Sequence, residues 1–210
     1  MKTLKSQFLI FLFLIMWSLS AHSQISLGLK AGINSAHQVT EFNGVELSTE
    51  SINGIVLGAL LEIPLSQKVS LQPEFLYMQK GSSLEPLDDR LKINYLEIPI
   101  LFKFKFLNKK SFGLNLVAGP SFGYASSGTI SDGSGSESLD FDDDTIERMD
   151  IPLQLGLGAS TSIGGATLFT EYRYWRSLVN ISKSDEVTLN NSGFSAVIGV
   201  LFPLGSTDSN

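Results

Sequence analysis

The stretch KINYLEIPILFKFKF, residues 92–106, decides the fold of this chain. From position 96 onward every second residue is apolar, and this set comprises Leu96, Ile98, Ile100, Phe102, Phe104 and Phe106. The residues between them include the charged Glu97, Lys103 and Lys105. A period of two places these sets on opposite faces of a β-strand. The apolar face suits either the core of a soluble sheet or the lipid side of a membrane barrel.

The rest of the chain repeats this pattern. Alternating segments predict eight strands, at residues 24–35, 51–63, 69–80, 92–106, 111–125, 148–161, 166–176 and 193–204. Long polar loops at 36–50, 81–91, 126–147 and 177–192 alternate with short turns, so all long loops lie at one end of the sheet. This layout is typical of outer-membrane barrels. The predicted fold is therefore all-β, an eight-stranded antiparallel up-and-down transmembrane β-barrel located in the cell outer membrane.

Aromatic residues on the apolar faces fall near the strand ends, with aliphatic residues between them. Those near the long loops are Phe75, Tyr77, Phe122, Tyr124, Tyr172, Tyr174 and Phe194, and those near the short turns are Phe104, Phe106, Phe112 and Phe202. Two aromatic girdles around an aliphatic band match the two bilayer interfaces. The alternative is a soluble periplasmic or secreted lipocalin-like barrel that binds a small apolar ligand.

The first 23 residues are predicted to be a signal peptide. Lys2 and Lys5 precede an apolar run at residues 8–17, and Ala21-His22-Ser23 forms a small-x-small cleavage site. The predicted organisation is a signal peptide at 1–23, a barrel domain at 24–204 and a polar C-terminal tail at 205–210. The chain contains no cysteine, which excludes disulfides and thiol chemistry.

The charged faces are predicted to form a polar network in the lumen. Its members are Glu62, Glu74, Glu97, Lys103, Lys105, Glu171 and Arg173. An eight-stranded barrel is narrow enough to be filled by side chains, so these charges should pair with one another. We expect a structural role for them, as a plug that fixes strand register. A proton or ion path is the less favoured alternative, and a wide diffusion pore is not expected.

Two features could carry catalysis, and neither is favoured. Residues 119–123, GPSFG, match the G-x-S-x-G nucleophile pattern, but they lie within an alternating segment rather than at a strand-to-helix turn. His37 is the single histidine after the predicted signal peptide, and it is expected to be a solvated residue at the start of the first loop. The protein is therefore predicted not to be an enzyme, and no catalytic residue, cofactor or metal site is expected.

The loop at 126–147 is rich in Gly and Ser and then acidic. Its acidic residues are Asp132, Glu137, Asp140, Asp142, Asp143, Asp144 and Glu147. Their spacing does not match a twelve-residue calcium loop, so a flexible, solvated external loop is expected. The predicted partners are the outer-membrane bilayer and a protein that binds the long loops. The formal charge of −6 argues against nucleic acid.

Several motifs resemble the PorT-like outer-membrane β-barrel family of Bacteroidota. They are residues 28–34 (GLKAGIN), 71–77 (LQPEFLY), 95–99 (YLEIP), 118–120 (AGP) and 171–174 (EYRY). The resemblance implies an outer-membrane barrel and brings no catalytic residues with it. Its namesake is implicated in protein secretion, so a secretion-accessory role joins the structural and surface-interaction roles as an expectation.

Overall fold

A computed structural model describes residues 24–42, 45–84, 89–109, 111–132, 134–141, 146–183 and 188–204. The strands are β1 Ser26–Phe42, β2 Val45–Ser48, β3 Glu50–Pro64, β4 Val69–Leu84, β5 Asp89–Lys109, β6 Phe112–Asp132, β7 Gly135–Ser138, β8 Met149–Asp150, β9 Pro152–Ile163, β10 Ala166–Ser177 and β11 Thr188–Pro203. Within these ranges no helix is both long and apolar enough to cross a membrane. The predicted signal peptide and polar tail lie outside the described residues.

Eight long strands close into a ring. The order is β11, β10, β9, β6, β5, β4, β3 and β1, and β1 also pairs with β11. The closing pair is antiparallel and runs from Ser26 opposite Pro203 to Glu41 opposite Thr188. The three short strands attach to the sides of this ring, β2 on β1 and both β7 and β8 on β6. The predicted eight-stranded antiparallel barrel is confirmed.

The strands reach further than the sequence predicts. The hairpin of β5 and β6 continues past the predicted loop boundaries and still pairs Arg90 with Ser131. The prediction of long polar loops at 81–91 and 126–147 is therefore wrong for residues 81–84, 89–91 and 126–132, which are strand. Backbone pairing continues there with one face on each side: Leu91 packs against the inner apolar cluster around Tyr95, and Arg90 is exposed on the outer face. The short turns after Pro64 and after Ile163 are confirmed, and in the second Gly164 and Gly165 have positive φ angles of 54° and 89°.

The outer face carries the apolar band. Phe102 is 55% exposed, and the aromatic residues predicted for both girdles lie on the same outward face. Strand β5 runs ten residues from Leu96 down to Phe106. At ~3.3 Å per residue and a tilt of ~40°, this distance projects to ~25 Å, which is the height of the apolar band of outer-membrane barrels. The end with the short turns is then the periplasmic end.

The inner face is layered rather than uniformly polar. Three apolar clusters lie inside, around Leu60 and Phe169, around Leu76 and Trp175, and around Tyr95 and the extracellular loops. Charged and amide side chains are buried between these clusters. The interior is therefore filled by side chains, as expected for a barrel of eight strands.

Candidate functional site

The lumen collects the buried charges because strand periodicity turns them inward and glycines make room for them. Arg173 points at Gly156, where an added Cβ would lie 2.6 Å from the Arg173 side chain. Phe169 similarly occupies the space above Gly199, where an added Cβ would lie 2.3 Å from its ring. Small residues facing large ones let these side chains pack closely in the narrow interior.

The central group consists of Lys30, Glu74, Glu171 and Arg173. Arg173 Nη2 lies 2.7 Å from Glu74 Oε1 and also contacts Glu171. Lys30 Nζ lies 2.6 Å from Glu74 Oε2. Gln72 Nε2 donates to Glu74 Oε1 at 2.7 Å. These residues come from β1, β4 and β10, so the group ties together strands on different sides of the ring.

The periplasmic group consists of Glu62, Lys103 and Lys105. Lys103 Nζ lies 2.9 Å from Glu62 Oε2, and Lys105 contacts the other oxygen of the same carboxylate. Ser70 Oγ donates to Glu62 Oε1 at 3.2 Å. Lys103 Nζ is also 4.0 Å from Glu171, which links this group to the central one. Glu62 and Lys103 are buried, whereas Lys105 is partly exposed at the barrel end.

The extracellular group consists of Lys80, Glu97 and Asp150. Lys80 contacts Glu97, and its Nζ lies 3.0 Å from Asp150 Oδ2. The Nζ also lies 4.8 Å from the centre of the Tyr95 ring and 4.4 Å from that of Trp175, within the range of cation–π attraction. The side chains of all three group members have no exposed surface.

The three groups carry unequal formal charge. The extracellular group holds one cation and two carboxylates, the central group two of each, and the periplasmic group two cations and one carboxylate. The lumen therefore changes from an excess of one negative charge to an excess of one positive charge towards the periplasm.

An apolar cluster closes the extracellular mouth above these groups. Leu139, Phe141 and Ile146 from the 126–147 segment fold inward with Ile181 onto Tyr95. The prediction that this segment is wholly solvated is wrong, because apolar side chains among its Gly, Ser and Asp residues are buried. A sequence signal existed, since Leu139 and Phe141 are two residues apart and share one face of an extended chain.

The seven residues predicted for the lumen divide among the three groups. Glu74, Glu171 and Arg173 lie in the central group, Glu62, Lys103 and Lys105 in the periplasmic group, and Glu97 in the extracellular group. Sequence reasoning missed Lys30, Lys80 and Asp150. Each occupies an inward position on its strand, so the same alternation could have identified them.

The candidate catalytic residues are not brought together. Ser121 lies in the middle of β6, is fully buried and donates to Glu97 Oε2 at 3.0 Å. His37 lies within β1 and is half-buried, so the prediction of a solvated loop residue is wrong. It shares the outward parity of the strongly exposed Ile33, whereas Ser121 faces the lumen. A serine–histidine pair would need both side chains on one face of the barrel wall.

The acidic residues of the 126–147 segment have varied surroundings. Asp142, Asp143 and Asp144 lie outside the described residues. Asp132 Oδ1 accepts hydrogen bonds from Ser134 Oγ at 2.7 Å, from Ser134 N at 3.0 Å and from Gly135 N at 2.8 Å. These bonds, chiefly the one from the Ser134 hydroxyl, hold the pKa of Asp132 below its ordinary value. Asp132 therefore stabilises the turn between β6 and β7.

The chain is similar to several solved structures of outer membrane proteins. OprG, an outer membrane protein from Pseudomonas aeruginosa, has 12% identity and a TM-score of 0.54, covering 89% of this chain and 99% of OprG. The outer membrane protease OmpT from Escherichia coli has 10% identity and a TM-score of 0.49, and the similarity covers 88% of this chain and 99% of OmpT. Ail of Yersinia pestis has 16% identity and a TM-score of 0.38, and the similarity covers 85% of this chain and 99% of Ail.

No curated protein sequence matches the chain. The profile of the family described as outer membrane protein beta-barrel domain matches residues 18–183, well over half of the sequence. The lipid-facing band and the antiparallel ring agree with that match, and the soluble lipocalin-like alternative is rejected because the apolar face points outward. The chain therefore belongs to the outer membrane protein beta-barrel domain family and lies in the outer membrane.

Proposed function

We propose that this protein is a non-enzymatic scaffold of the outer membrane that presents ordered β-hairpins to a protein partner at the cell surface. The observation that carries the proposal is the obstructed lumen. Three layers of paired charges and an apolar cap lie across the route that a solute would take through the barrel. A barrel filled in this way suits display rather than transport.

The extracellular rim supports the display role. Strands β5 and β6 continue as a paired hairpin well above the girdle residue Tyr124 and its cross-strand partner Leu96. On its outer side the sheet forms a concavity of about 710 Å³ whose lining includes Glu50, Arg90 and Lys92. A large polar hollow lined by hydrogen-bonded strands is a suitable surface for a protein partner, because paired strands lose little order on binding.

The proposal that the protein is not an enzyme rests on the positions of Ser121 and His37, which occupy opposite faces of the barrel wall. The resemblance to the PorT-like family and its secretion-accessory role remain predictions. The surface role is favoured over them because the rim hairpin and its concavity are features of this chain.

Planar-bilayer recording tests the closed lumen. We expect the folded protein to give no stable conductance, because the Lys80 and Arg173 contacts block the path. A large and persistent open state would contradict the scaffold proposal.

Site-specific photo-crosslinking in intact cells tests the surface role. A photoreactive residue at Lys92, which is exposed and lines the concavity, is expected to give a discrete protein adduct. The matched control is Leu65 in a periplasmic turn, which is 40% exposed. Adducts from position 65 but none from position 92 would place the partner on the wrong side of the membrane for this proposal.

A further inference from the structure

The outward concavity at the extracellular rim is a groove that follows β4. Lys92 of β5 pairs with Gly81 of β4, which has no side chain. Arg90 pairs in the same way with Ser83, whose side chain is small. On the other side, the regular pairing of β3 with β4 is interrupted after Ser51. Strand β4 therefore forms a low floor between β3 and β5, and we call this concavity of about 710 Å³ the rim groove.

The wall of the rim groove on β5 carries two cations without partners. Arg90 and Lys92 are exposed and line the groove. Neither forms an ion pair or a side-chain hydrogen bond with the described residues, whereas the buried cations of the lumen groups contact carboxylates. The groove lining contains one carboxylate, Glu50, which belongs to the opposite wall on β3. The groove therefore has an excess of one positive charge, and its cations lie on one side.

The two cations have the spacing of alternate side chains on an extended chain. Arg90 and Lys92 are two residues apart on one strand and share its outward face, so they lie ~6.6 Å apart along it. An extended ligand segment that lies along β5 repeats this distance between its own alternate side chains. Two carboxylates separated by one residue can therefore contact both cations at once. On the opposite wall, the exposed amide of Asn53 can bond to the backbone of such a segment.

The height of the rim groove favours a protein segment over a lipid headgroup. Beyond Leu96, the outward residues of β5 are polar, and Lys92 and Arg90 are four and six residues further out. At ~3.3 Å per residue and a tilt of ~40°, they lie ~10 and ~15 Å above Leu96. The headgroup layer of a bilayer is ~5–8 Å thick. Arg90 therefore lies beyond the headgroups, where a protein partner can reach it.

We infer that the rim groove binds an extended acidic segment of the surface partner, in which two carboxylates are separated by one residue. The carboxylates contact Arg90 and Lys92, and the segment lies over the floor formed by β4. This inference rests on the proposed surface role and adds the chemistry of the partner. Because the ion pairs are partly exposed, salt weakens the binding.

Fluorescence polarisation with synthetic peptides tests the charge and the spacing. The probe is a rhodamine-labelled peptide of serine and glycine with two glutamates separated by one serine, added to the full folded protein in dodecyl maltoside at low salt. We expect saturable binding that weakens as salt is added. A peptide of the same composition with two serines between the glutamates should bind about threefold more weakly, because its carboxylates point to opposite sides of an extended chain. Equal binding of the two peptides, or equal binding of a peptide with lysines in place of the glutamates, would overturn the inference.

Variants test the two cations. Arg90→Gln and Lys92→Gln should each weaken binding of the first peptide about threefold, and the double variant should weaken it at least about fivefold. Arg176→Gln is the matched control, since Arg176 is an exposed, outward-facing arginine of β10 that does not line the groove. Heat-modifiable gel migration verifies that every variant is folded. Absence of saturable binding, or equal loss in Arg176→Gln, would overturn the inference.

Photo-crosslinking in intact cells separates this inference from the surface role on which it rests. A photoreactive residue at Thr129, which also lines the rim groove, leaves both cations in place. We expect a protein adduct whose cross-linked peptide has two carboxylates separated by one residue, and we expect Arg90→Glu to abolish it.

The contrary outcomes are distinct. A protein adduct that persists in Arg90→Glu would overturn the acidic segment and leave the surface role standing. An adduct with lipid alone would overturn the protein segment in favour of a headgroup. Absence of a protein adduct from both Thr129 and Lys92 would contradict the surface role itself, and the inference with it.

Discussion

Replacing Lys80 with methionine should severely destabilise the barrel. Lys80 is the one cation that ion-pairs with Glu97 and Asp150 among the described residues, and all three side chains have no exposed surface. Lys80→Met keeps the side-chain length but leaves two carboxylates buried together. Some compensation remains, because Ser121 donates to Glu97 at 3.0 Å and Asn191 to Asp150 at 3.1 Å. Breaking a buried ion pair from one side costs ~3–5 kcal/mol, and we expect a loss in that range.

The assay is reversible urea unfolding in vesicles of short-chain lipid. Trp175 is a suitable reporter, because the other tryptophan, Trp17, lies in the predicted signal peptide and the Trp175 ring contacts Lys80. The control is the triple variant Lys80→Met, Glu97→Gln, Asp150→Asn, which removes the cation and both carboxylates together. It should recover most of the lost free energy of unfolding. A single variant within ~1 kcal/mol of the parent protein, or a triple variant no more stable than the single one, would refute the reasoning.

Three further predictions concern other parts of the barrel. Ile100→Arg places a charge on the lipid face and should lower the free energy of unfolding in vesicles by ~2–4 kcal/mol, whereas a soluble barrel would show no dependence on the bilayer. Phe141→Ala in the apolar cap should cost ~3–5 kcal/mol and speed proteolysis of the extracellular loops, yet give no conductance in planar bilayers because the ion pairs below remain. Gly81→Ala should lower the urea midpoint of unfolding, because Gly81 has a φ of 146° and an added Cβ would lie 1.8 Å from the Leu91 carbonyl oxygen. An unchanged urea midpoint would contradict this.

The lipid-facing half of the structure was predictable because it depends on a local rule. Alternation alone places Phe102 outward and Lys103 inward, and the bilayer selects which face is apolar. Strand number and the end of the barrel that carries each loop followed from the same pattern. The strand extension before residue 92 was missed although the alternation continues there, with Leu91 and Ile93 apolar and Arg90 and Lys92 charged. Its apolar side chains face the lumen cluster around Tyr95 and not lipid, so they did not fit the expected polar interior.

The lumen was predictable in composition but not in connectivity. Parity identifies Glu74 and Arg173 as inward residues, but their contact depends on the stagger of strands that are far apart in sequence. The apolar layers inside, such as that around Trp175, were missed because inward residues were expected to be polar. Burial of Phe141 was missed because the composition of its segment is typical of a solvated loop.

The buried ion pairs and hydrogen bonds of the lumen also constrain the order in which this barrel can assemble. Arg173 and Glu74 are 99 residues apart along the chain, and Asn34 and Trp175 are 141 apart. A sheet that has not yet joined its first and last strands cannot form these contacts, so its charges would face lipid or water without their partners. Intermediates with an open seam are therefore disfavoured, and closure should be slow and cooperative. During biogenesis the residues that fill the finished lumen therefore lower the stability of every form whose barrel is not fully closed, because they lack their partners there.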